Sequence, residues 1–427
     1  MKIGFQLNFL DFRNDIRRVI EIISKTHEVV LFVRAEDIQA IRSHISQHIE
    51  TRLIDEKVNS IKNRFWVNLF SKFGKIPKSF KNYYLNERFL IYFTKNKYLR
   101  WKELVLFDFF VKLPKWISYD AYLHNLDYSG KTNIDDIDKF IALTRISDDY
   151  FFSRILKQEK EICVYVYSWD HPCKHKQFHK SVKYLVWNDG IKNDLNELQK
   201  IPRQNINIIG SSQFCYIKQF FSKDLISKIS PYNYEYIYFG CSTGIPKLVK
   251  QEIRIIKRIC IILKKTNPDL KMVIRLYPVL DNWSYYDELK ELKNIELDDS
   301  YRTTDLSVSE DNIMEKFLKI HHAKAFLHLG TTMGLEACFT STPSFLIDFG
   351  YEKKKDSRLS IKNTIHQYQN AKYLFKKARE NILKSEKSLI YALKNIESKL
   401  YNENNIYVTK DFELISFKAF SKRLINA

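Results

Sequence analysis

The sequence is poor in the features that mark metal-bound, disulfide-bonded or membrane-spanning proteins. Only six cysteines occur among 427 residues, and no two of them form a CxxC pair. This spacing argues against a zinc site and a disulfide framework, and it is typical of a reducing cytoplasm. No apolar run approaches the about 20 residues needed to cross a bilayer. The opening residues, MKIGFQLNFLDF, have too short an apolar core for a signal peptide and predict a first strand.

Glycine is also scarce, with 10 residues in the chain, and no GxGxxG motif is present. The chain nevertheless opens with a β-α-β pattern. Ile3 to Phe9 and His27 to Val33 predict strands, and Asp15 to Ser24 predicts an amphipathic helix between them. This pattern predicts a Rossmann-like domain, and the missing glycine motif argues against a dinucleotide cofactor.

The length and charge of the chain indicate two domains and an anionic partner. A chain of 427 residues is too long for one core and suits two α/β domains. The 70 Lys and Arg residues exceed the 50 Asp and Glu residues, which gives a formal net charge of +20. Such a balance indicates binding to phosphate, nucleic acid or an anionic membrane surface.

Residues 57–115 concentrate this positive charge. They contain 14 Lys and Arg, three acids and 15 aromatic residues, a net charge of +11. Aromatic rings interleaved with cations suit a membrane interface or a lipid-linked substrate, with Lys72, Lys75, Lys78 and Lys81 as its basic surface. They also suit single-stranded nucleic acid, although no nucleic-acid-binding motif accompanies them. A helical insertion with its aromatics in the core explains the same pattern without any ligand.

The stretch Ala325 to Asp348 predicts strand, tight turn, helix, loop and strand. Its turn, Gly330-Thr331-Thr332, brings a glycine and two hydroxyls to the start of the predicted helix. The free N–H groups there would suit a phosphate, and either threonine is a candidate helix cap. Glu336, one turn further on, is a candidate partner for a sugar hydroxyl. A capped helix without a ligand would show the same pattern.

Two more predicted strands of this half end in residues suited to anions. Tyr236 to Phe239 is followed by Gly240-Cys241-Ser242-Thr243-Gly244, whose small residues suit wrapping around an anion. Lys271 to Leu276 carries Arg275, a candidate phosphate partner.

In the first half, Ile162 to Tyr167 predicts a strand that ends in Ser168-Trp169-Asp170-His171-Pro172. Open α/β sheets place ligands at the carboxyl ends of their strands. Asp170 and His171 are therefore candidates for a general base. The alternative is a proline-containing turn in which Asp170 acts as a cap.

The run SWDH, then YLVWND, a helix, IP and INIIGSSQF resembles bacterial surface-polysaccharide glycosyltransferases of the GT-B fold. Those proteins show SWDN, a VWN strand and I-x-V-x-G-x-x-Q-F-D. This chain departs from them at His171, which replaces Asn, and at Cys215, which replaces Asp. Arg275-Leu276-Tyr277-Pro278 is similar to their iRxHP motif, with Tyr277 in place of histidine. The resemblance covers roughly Ile162 to Asp348.

The resemblance implies two Rossmann-like α/β/α domains facing a central cleft and a reaction that needs no bound metal or cofactor. The implied domains are an acceptor domain at 1–228, containing the helical insertion at about 57–115, and a donor domain at 229–375. They are followed by C-terminal helices at 376–427, which in this fold often return to pack on the N-terminal domain. The donor would be a nucleotide sugar, and the acceptor a surface glycan on a lipid at the inner face of the cytoplasmic membrane. Asp11 joins Asp170 and His171 as a candidate base. The implied nucleotide-sugar site comprises Gly240, Ser242, Arg275, Tyr277, Gly330, Thr331, Thr332 and Glu336.

Two other functions remain open at this point. A nucleotide-sugar 2-epimerase shares the fold and would have no use for the aromatic and basic segment. A non-catalytic carbohydrate-binding or membrane-adaptor protein is the third possibility. For the end of the chain, residues Gln369 to Tyr401 predict long charged helices.

Overall fold

A computed structural model describes most of the chain, in two compact units. The N-terminal unit comprises Met1–Asn86, Thr94–Cys215 and Glu413–Ala427, and the second unit comprises Glu87–Phe93 and Tyr216–Phe412. The described residues are 1–9, 12–92, 94, 96–144, 146–222, 230–278, 280–299, 301, 308–340, 342–351, 360–362, 365 and 378–427.

The N-terminal unit is built on a sheet of seven parallel strands in the order β3-β2-β1-β4-β5-β6-β7. The strands are β1 (Lys2–Gln6), β2 (Glu28–Val33), β3 (Glu50–Leu53), β4 (Lys139–Leu143), β5 (Glu161–Tyr165), β6 (Lys183–Val186) and β7 (Ile206–Ile208). Strands such as β2, Glu-Val-Val-Leu-Phe-Val, bury every residue after the first. A continuous apolar run of this kind is typical of a parallel strand covered on both faces.

The second unit contains six parallel strands in the order β10-β9-β8-β11-β12-β13. They are β8 (Tyr236–Gly240), β9 (Lys271–Arg275), β10 (Ile295–Asp298), β11 (Phe326–His328), β12 (Ser344–Ile347) and β13 (Ile382–Leu383). Counted from its own first strand, this sheet has the order 3-2-1-4-5-6, which the N-terminal sheet repeats with one more strand. The order reverses between β1 and β4 and between β8 and β11, and open α/β sheets bind ligands at such points.

Helices connect these strands. Those of the first half are α1 (Asn14–Ser24), α2 (Ile38–Arg42), α3 (Ile61–Phe73), α4 (Phe80–Tyr92), α5 (Lys97–Phe110), α6 (Tyr119–Asn125), α7 (Asp149–Lys157), α8 (His171–Lys174), α9 (Asp189–Asp194) and α10 (Cys215–Ser222). The later ones are α11 (Pro246–Thr266), α12 (Glu310–His322), α13 (Met333–Phe339), α14 (Glu386–Lys394), α15 (Lys399–Thr409) and α16 (Phe417–Asn426). The predicted class of two parallel α/β domains is confirmed.

The helical insertion lies where the sequence predicted it, in α3, α4 and α5. Its aromatic residues divide between core and surface. Phe70 stacks on Tyr122 of α6 with ring centroids 4.4 Å apart, and Tyr83 and Phe89 are buried. Trp101 and other rings of α5 are exposed. The core interpretation therefore accounts for only part of the segment.

The end of the chain differs from the prediction of long charged helices over Gln369 to Tyr401. Residues 366–377 lie outside the described residues, and Ile382–Leu383 forms strand β13 beside β12. The apolar pair Ile382 and Leu383 is buried at that edge of the sheet, and this burial outweighs the helical pattern around it. The helices that follow are shorter, because Asn395 and the residues after it separate α14 from α15.

The last helix, α16, belongs to the N-terminal unit. Its Phe420 ring packs edge-on against Tyr165 of β5, with centroids 5.3 Å apart. The buried Lys139 Nζ donates a hydrogen bond of 2.9 Å to the carbonyl of Ile425. By contrast, α14 and α15 lie in the second unit. Residues 376–427 are therefore not one group of helices.

Candidate functional site

In the second unit, the loops that follow β8 and β11 lie at the point where the strand order reverses. Gly240 ends β8 beside Phe326 of β11, and a Cβ atom at this position would come within 2.6 Å of the Phe326 ring. A side chain here would have to displace the buried Phe326 ring, so the position favours glycine.

Buried Glu252 of α11 fixes the shape of that loop. The Ser242 main-chain N–H and Oγ donate to Glu252 Oε1 at 2.8 and 2.9 Å, and the Tyr286 hydroxyl donates to Oε2 at 2.7 Å. Burial raises the pKa of Glu252 above its usual value. The predicted role of Ser242 in binding an anion stays a prediction, and in the structure its hydroxyl holds the loop. Glu252 was not predicted from the sequence, although an acid on the apolar face of a long helix is a usable signal.

The turn after β11 is organised by His328. Gly330 has φ +90°, a conformation that favours glycine, and its N–H donates a hydrogen bond of 3.1 Å to His328 Nδ1. Burial lowers the pKa of His328 to about 3, so the ring is neutral at neutral pH. Gly334 lies against the same ring, where a Cβ atom would come within 2.4 Å of Cε1. Sequence analysis did not assign any role to His328.

The predicted capping of the following helix is only partly present. Met333 N–H points to Thr331 Oγ1 at a long 3.4 Å. Within the described part of the chain, the Thr332 side chain makes no capping hydrogen bond, because Thr332 already has helical backbone angles. Of the two candidate caps, Thr331 is therefore the one whose hydroxyl faces a main-chain N–H of the helix. Both threonines are half-buried, and their role in binding a nucleotide stays a prediction.

A buried network of charges surrounds Arg275 at the end of β9. Arg275 Nη1 lies 3.0 Å from Asp298 Oδ2, and Lys319 Nζ lies 2.7 Å from Asp298 Oδ1. Although burial opposes ionisation, these two cations hold the pKa of Asp298 below its usual value. The Arg275 guanidinium also lies 3.7 Å from the centre of the Tyr301 ring. Arg275 is thus fixed in place before any ligand binds.

Glu336 on α13 belongs to a second buried ion pair. Its Oε2 lies 2.6 Å from Lys316 Nζ, and both side chains are almost fully buried. Burial lowers the pKa of Lys316, and the positive charge of Arg275 lowers it further. Arg275 and Lys316 therefore interact electrostatically. Each of the buried cations Arg275, Lys316 and Lys319 is paired with a carboxylate, and Lys319 pairs with Glu315 as well as with Asp298. These ion pairs hold three cations in place at this edge of the sheet.

Tyr277 follows β9 and is 36% exposed. Its main-chain carbonyl accepts a hydrogen bond of 2.8 Å from Trp283 Nε1. The loop is therefore anchored through its backbone while the phenol side chain stays accessible. The assignment of Tyr277 to the nucleotide site stays a prediction.

The N-terminal unit contains the predicted base candidates Asp170 and His171. The Ser168 hydroxyl donates to Asp170 Oδ1 at 2.7 Å, and Lys174 Nζ forms an ion pair with Oδ2. Despite burial, Lys174 and His171 lower the pKa of Asp170. A carboxylate stabilised in this way is a weak proton acceptor. The buried His171 ring packs against His175 with centroids 4.8 Å apart. Asp11, the third candidate, lies outside the described residues.

Two acids that the sequence analysis did not assign follow β4, where the N-terminal sheet reverses its strand order. Asp148 Oδ1 caps α7 by accepting the Phe151 N–H at 2.9 Å. Asp149 is half-buried and accepts hydrogen bonds from Tyr119 OH at 2.7 Å and Gln177 Nε2 at 3.2 Å. Burial raises the pKa of Asp149. The usable signal was an acidic pair shortly after the apolar run of β4.

Asp15 on α1 is a third acid near the carboxyl edge of the N-terminal sheet. It accepts hydrogen bonds from the Tyr167 and Ser212 hydroxyls at 3.0 and 2.6 Å. Burial raises the pKa of this carboxyl as well. Because both of its oxygens are engaged and it is 5% exposed, Asp15 connects α1 to the ends of β5 and β7 rather than offering a free base.

The predicted basic surface is divided in the structure. Lys75, Lys78 and Lys81 are exposed, whereas Lys72 is half-buried with Nζ 4.8 Å from the centre of the Phe110 ring. Among the described residues, no group of three or more His, Cys, Asp or Glu side chains is placed to hold a metal ion. In the same residues, no helix is long and apolar enough to cross a membrane.

No model of a known protein family matches the chain, and no curated protein matches it. Solved structures match it over nearly its whole length. S. aureus MnaA, solved with UDP, gives a TM-score of 0.53 at 9% identity, covering 100% of this chain and 95% of that one. The wall teichoic acid polymerase TagF gives 0.52 at 9% identity, covering 100% and 88%. A candidate UDP-N-acetylglucosamine 2-epimerase from Listeria monocytogenes gives 0.50 at 8% identity, covering 99% and 94%.

These likenesses show the fold. The chain has two parallel-sheet α/β domains of the GT-B type, the architecture of these solved proteins.

Proposed function

We propose that this protein is a glycosyltransferase that moves a sugar from a nucleotide-sugar donor to a growing surface glycan, a polysaccharide or lipopolysaccharide. The observation that carries the proposal is the edge of the second sheet. There, the loop after β8, Arg275 and the Gly330 turn lie at the carboxyl ends of β8, β9 and β11. Ligands of open α/β sheets bind at this place.

The donor's phosphates are assigned to this edge because it holds buried cations in fixed positions. Arg275 and Lys316 are held by Asp298 and Glu336, so their charges are oriented before the donor arrives. Preorganised cations stabilise the negative charge that develops on a leaving nucleotide without a metal ion. Main-chain N–H groups near Thr331 and Thr332 would donate to the same phosphates. Glu336 would orient Lys316 and, through it, the donor.

The acceptor hydroxyl needs a base, which we assign to the N-terminal unit. Asp149 fits this role better than Asp170, because burial raises the pKa of Asp149 whereas Lys174 lowers that of Asp170. A general base works best when its pKa approaches the working pH. Asp149 would take the proton of the acceptor hydroxyl as the new C–O bond forms. The bond between the sugar and the nucleotide phosphate breaks in the same reaction.

The acceptor is proposed to be carried by a lipid, with the protein bound peripherally at the anionic inner face of the cytoplasmic membrane. The basis for this choice is residues 57–115, with their net charge of +11. A surface of this charge is attracted to anionic lipid headgroups.

A nucleotide-sugar 2-epimerase is the second candidate. The specific observation in its favour is the Listeria monocytogenes protein, which has a comparable TM-score. An epimerase would act on the same donor in the same site and would need no acceptor. The two functions therefore share the nucleotide site and differ in what happens to the sugar.

A two-stage experiment tests the proposal. Thermal unfolding in the presence of a panel of nucleotide sugars identifies the donor, because a ligand that binds the native state raises the midpoint. The selected donor is then incubated with the protein, with and without lipid-linked glycan acceptors, and the products are analysed by NMR and chromatography. Free nucleotide formed only with an acceptor supports the glycosyltransferase. An epimerised sugar without any acceptor establishes the alternative, and no stabilisation by any nucleotide sugar would refute both.

A further inference from the structure

Helix α5 (Lys97–Phe110) presents an apolar face to solvent. The helix is described along its whole length, and none of its 14 residues is buried. Tyr98, Trp101 and Phe109 are 68%, 62% and 62% exposed. With Val105 they are spaced at three or four residues, so they form one stripe along the helix. Leu99 and Leu106 extend the exposed stripe on one side.

The opposite face of α5 packs within the N-terminal unit. Phe107 stacks on Tyr84 of α4 with centroids 5.6 Å apart, and the Tyr84 hydroxyl donates to Asp108 Oδ1 at 2.7 Å. Glu103 accepts a hydrogen bond of 2.8 Å from Thr94 Oγ1. The helix is thus anchored through its inner face, and its apolar stripe is a fixed surface feature.

The charges on α5 complement an anionic surface. Both of its acids, Glu103 and Asp108, are engaged with side chains of the same unit. The exposed cations Lys97 and Lys102 accompany the apolar stripe, and residues 57–115 as a whole have a net charge of +11. Trp and Tyr beside Lys is the composition of helices that lie in a membrane interface.

We propose that α5 docks in the interface of an anionic bilayer, parallel to its plane. Tyr98, Trp101, Val105 and Phe109 enter the boundary between headgroups and acyl chains, and Lys97 and Lys102 contact lipid phosphates. This inference names the docking element for the membrane partner in the proposed function. It holds for any reaction of the second unit, because α5 lies in the N-terminal unit.

A bilayer fits this surface better than the other occupants. A second copy of the chain would bring two segments of net charge +11 together, which is unfavourable. Single-stranded nucleic acid would be attracted by the cations and stack on the rings. The aliphatic residues Leu99, Val105 and Leu106, exposed beside the rings, have no role in stacking and suit acyl chains.

Vesicle flotation with the full-length protein tests the inference. The vesicles are phosphatidylcholine alone or with phosphatidylglycerol, at low and physiological salt. One variant combines Tyr98→Ser, Trp101→Ser and Phe109→Ser. The matched control combines Tyr391→Ser, Ile406→Ser and Tyr407→Ser, which lie on α14 and α15 and are 65%, 65% and 56% exposed. All six positions are on the surface, so both variants are expected to fold.

We expect the wild type and the control to bind phosphatidylglycerol vesicles and the α5 variant to bind at least about tenfold more weakly. Residual binding of the α5 variant should depend more strongly on salt, because its apolar contribution is gone. Equal binding of the two variants would refute docking through α5. Absence of wild-type binding at low salt would refute the membrane as the occupant.

A second measurement locates Trp101 directly. Brominated lipids should quench part of the tryptophan fluorescence of the wild type, and the Trp101→Phe variant should lose that quenching while keeping its binding. Unchanged quenching in Trp101→Phe would overturn the proposed orientation. A dimer by light scattering, lost in the α5 variant, would identify a second copy as the occupant. Tighter binding to an oligonucleotide than to vesicles would identify nucleic acid, and either result overturns the inference. Loss of nucleotide-sugar binding would leave it unaffected and refute only the proposed function.

Discussion

His328 Nδ1 accepts a hydrogen bond of 3.1 Å from the main-chain N–H of Gly330. An imidazole can accept at Nδ1 only when that nitrogen carries no proton, so this contact requires the neutral ring. Burial acts in the same direction and lowers the pKa of His328 to about 3. The turn assigned to the donor's phosphates therefore depends on the protonation state of a residue beneath it.

This relationship predicts a pH-dependent stability of the second unit. The pKa of His328 in the folded state, about 3, lies below the usual histidine pKa of 6.5, so the unfolded chain binds the extra proton first as the pH falls. The contribution of neutral His328 to the free energy of unfolding is fully present above pH 6.5. It decreases by about 1.4 kcal/mol per pH unit below that pH. When the pH is lowered from 7 to 5, the free energy of unfolding should decrease by about 2 kcal/mol less in His328→Gln than in the wild type, as measured by urea unfolding.

A glutamine carbonyl can still accept the Gly330 N–H, so the variant should remain folded at pH 7. His44→Gln is the control, since His44 is part of the N-terminal unit. The same pH dependence in His328→Gln and in the wild type would contradict the buried neutral state.

Gly330→Val should weaken nucleotide binding without unfolding the domain. Valine at φ +90° is strained, at a cost of about 1–2 kcal/mol or more, and the turn would shift away from its present shape. Gly130→Val is the matched control, because Gly130 has φ +69° in the N-terminal unit, with open space around its Cβ position. Calorimetric titration with the donor should show weaker binding for Gly330→Val only. Equal affinities in the two folded variants would remove this turn from the donor site.

Arg275→Met should destabilise the second unit and weaken donor binding. Breaking a buried ion pair costs about 3–5 kcal/mol, and Lys319 should keep the effect near the lower end by still pairing with Asp298. Arg258→Met is the control, because the exposed pair of Arg258 with Glu386 contributes only about 0–1 kcal/mol. Arg275→Lys keeps the charge and should retain part of the affinity. Full affinity in a folded Arg275→Met protein would show that Arg275 is purely structural.

The sequence predicted the strands well because their patterns are local. Ser344–Ile347 and Met333–Phe339 form the strand and helix expected from their apolar spacing. The burial of Ile16, Val19, Ile20 and Ile23 follows from the spacing along α1 in the same way. Strand β13 could not be predicted, since two residues carry no periodicity and its pairing depends on β12, 35 residues or more earlier in the chain.

The candidate site shows the same limit for side chains. Arg275 and Glu336 were predicted to bind a ligand, and sequence alone could not show their partners Asp298 and Lys316, which lie 23 and 20 residues away. Asp149 was missed because its raised pKa comes from burial in the folded unit, which the sequence around it does not show. Its hydrogen-bond partner Tyr119 lies 30 residues earlier in the chain. Contacts between distant segments decide which carboxylates are paired with a cation and which are buried. Residue type alone therefore could not show that the pKa of Asp170 is lowered and that of Asp149 is raised.

Asp149→Asn should lower turnover by about 10²–10⁴-fold with little change in donor affinity. Asp170→Asn is expected to have a smaller effect, because Lys174 already holds the pKa of Asp170 low. Since the ionised form of Asp149 is active and burial raises its pKa, the acid limb of kcat/KM should lie at higher pH than for an ordinary aspartate. Near-normal turnover in Asp149→Asn, together with a loss in Asp170→Asn or His171→Ala, would return the base to the loop after β5.

Reversing the charge of the basic surface by Lys→Glu substitutions should release the protein from anionic vesicles. Lys75, Lys78 and Lys81 are exposed, and each cation near an anionic leaflet contributes about 1 kcal/mol. Their triple replacement by Glu should therefore weaken binding about 100-fold or more at low salt. Adding Lys72→Glu should also remove the contact of Lys72 with the Phe110 ring, so its effect would include a loss of packing within the N-terminal unit.

Lys387, Lys394 and Lys399, exposed on the second unit, provide a control with the same change in net charge when replaced by Glu. If long-range attraction alone mattered, both triple variants would lose binding equally, whereas a local docking surface predicts a loss only at Lys75, Lys78 and Lys81. Donor binding measured by calorimetry should be unchanged in both variants, because none of these six exposed lysines is among the residues assigned to the nucleotide site. Equal retention in both triple variants would mean that Lys75, Lys78 and Lys81 do not contact the membrane, and would leave the apolar stripe of α5 with Lys97 and Lys102 as the docking surface.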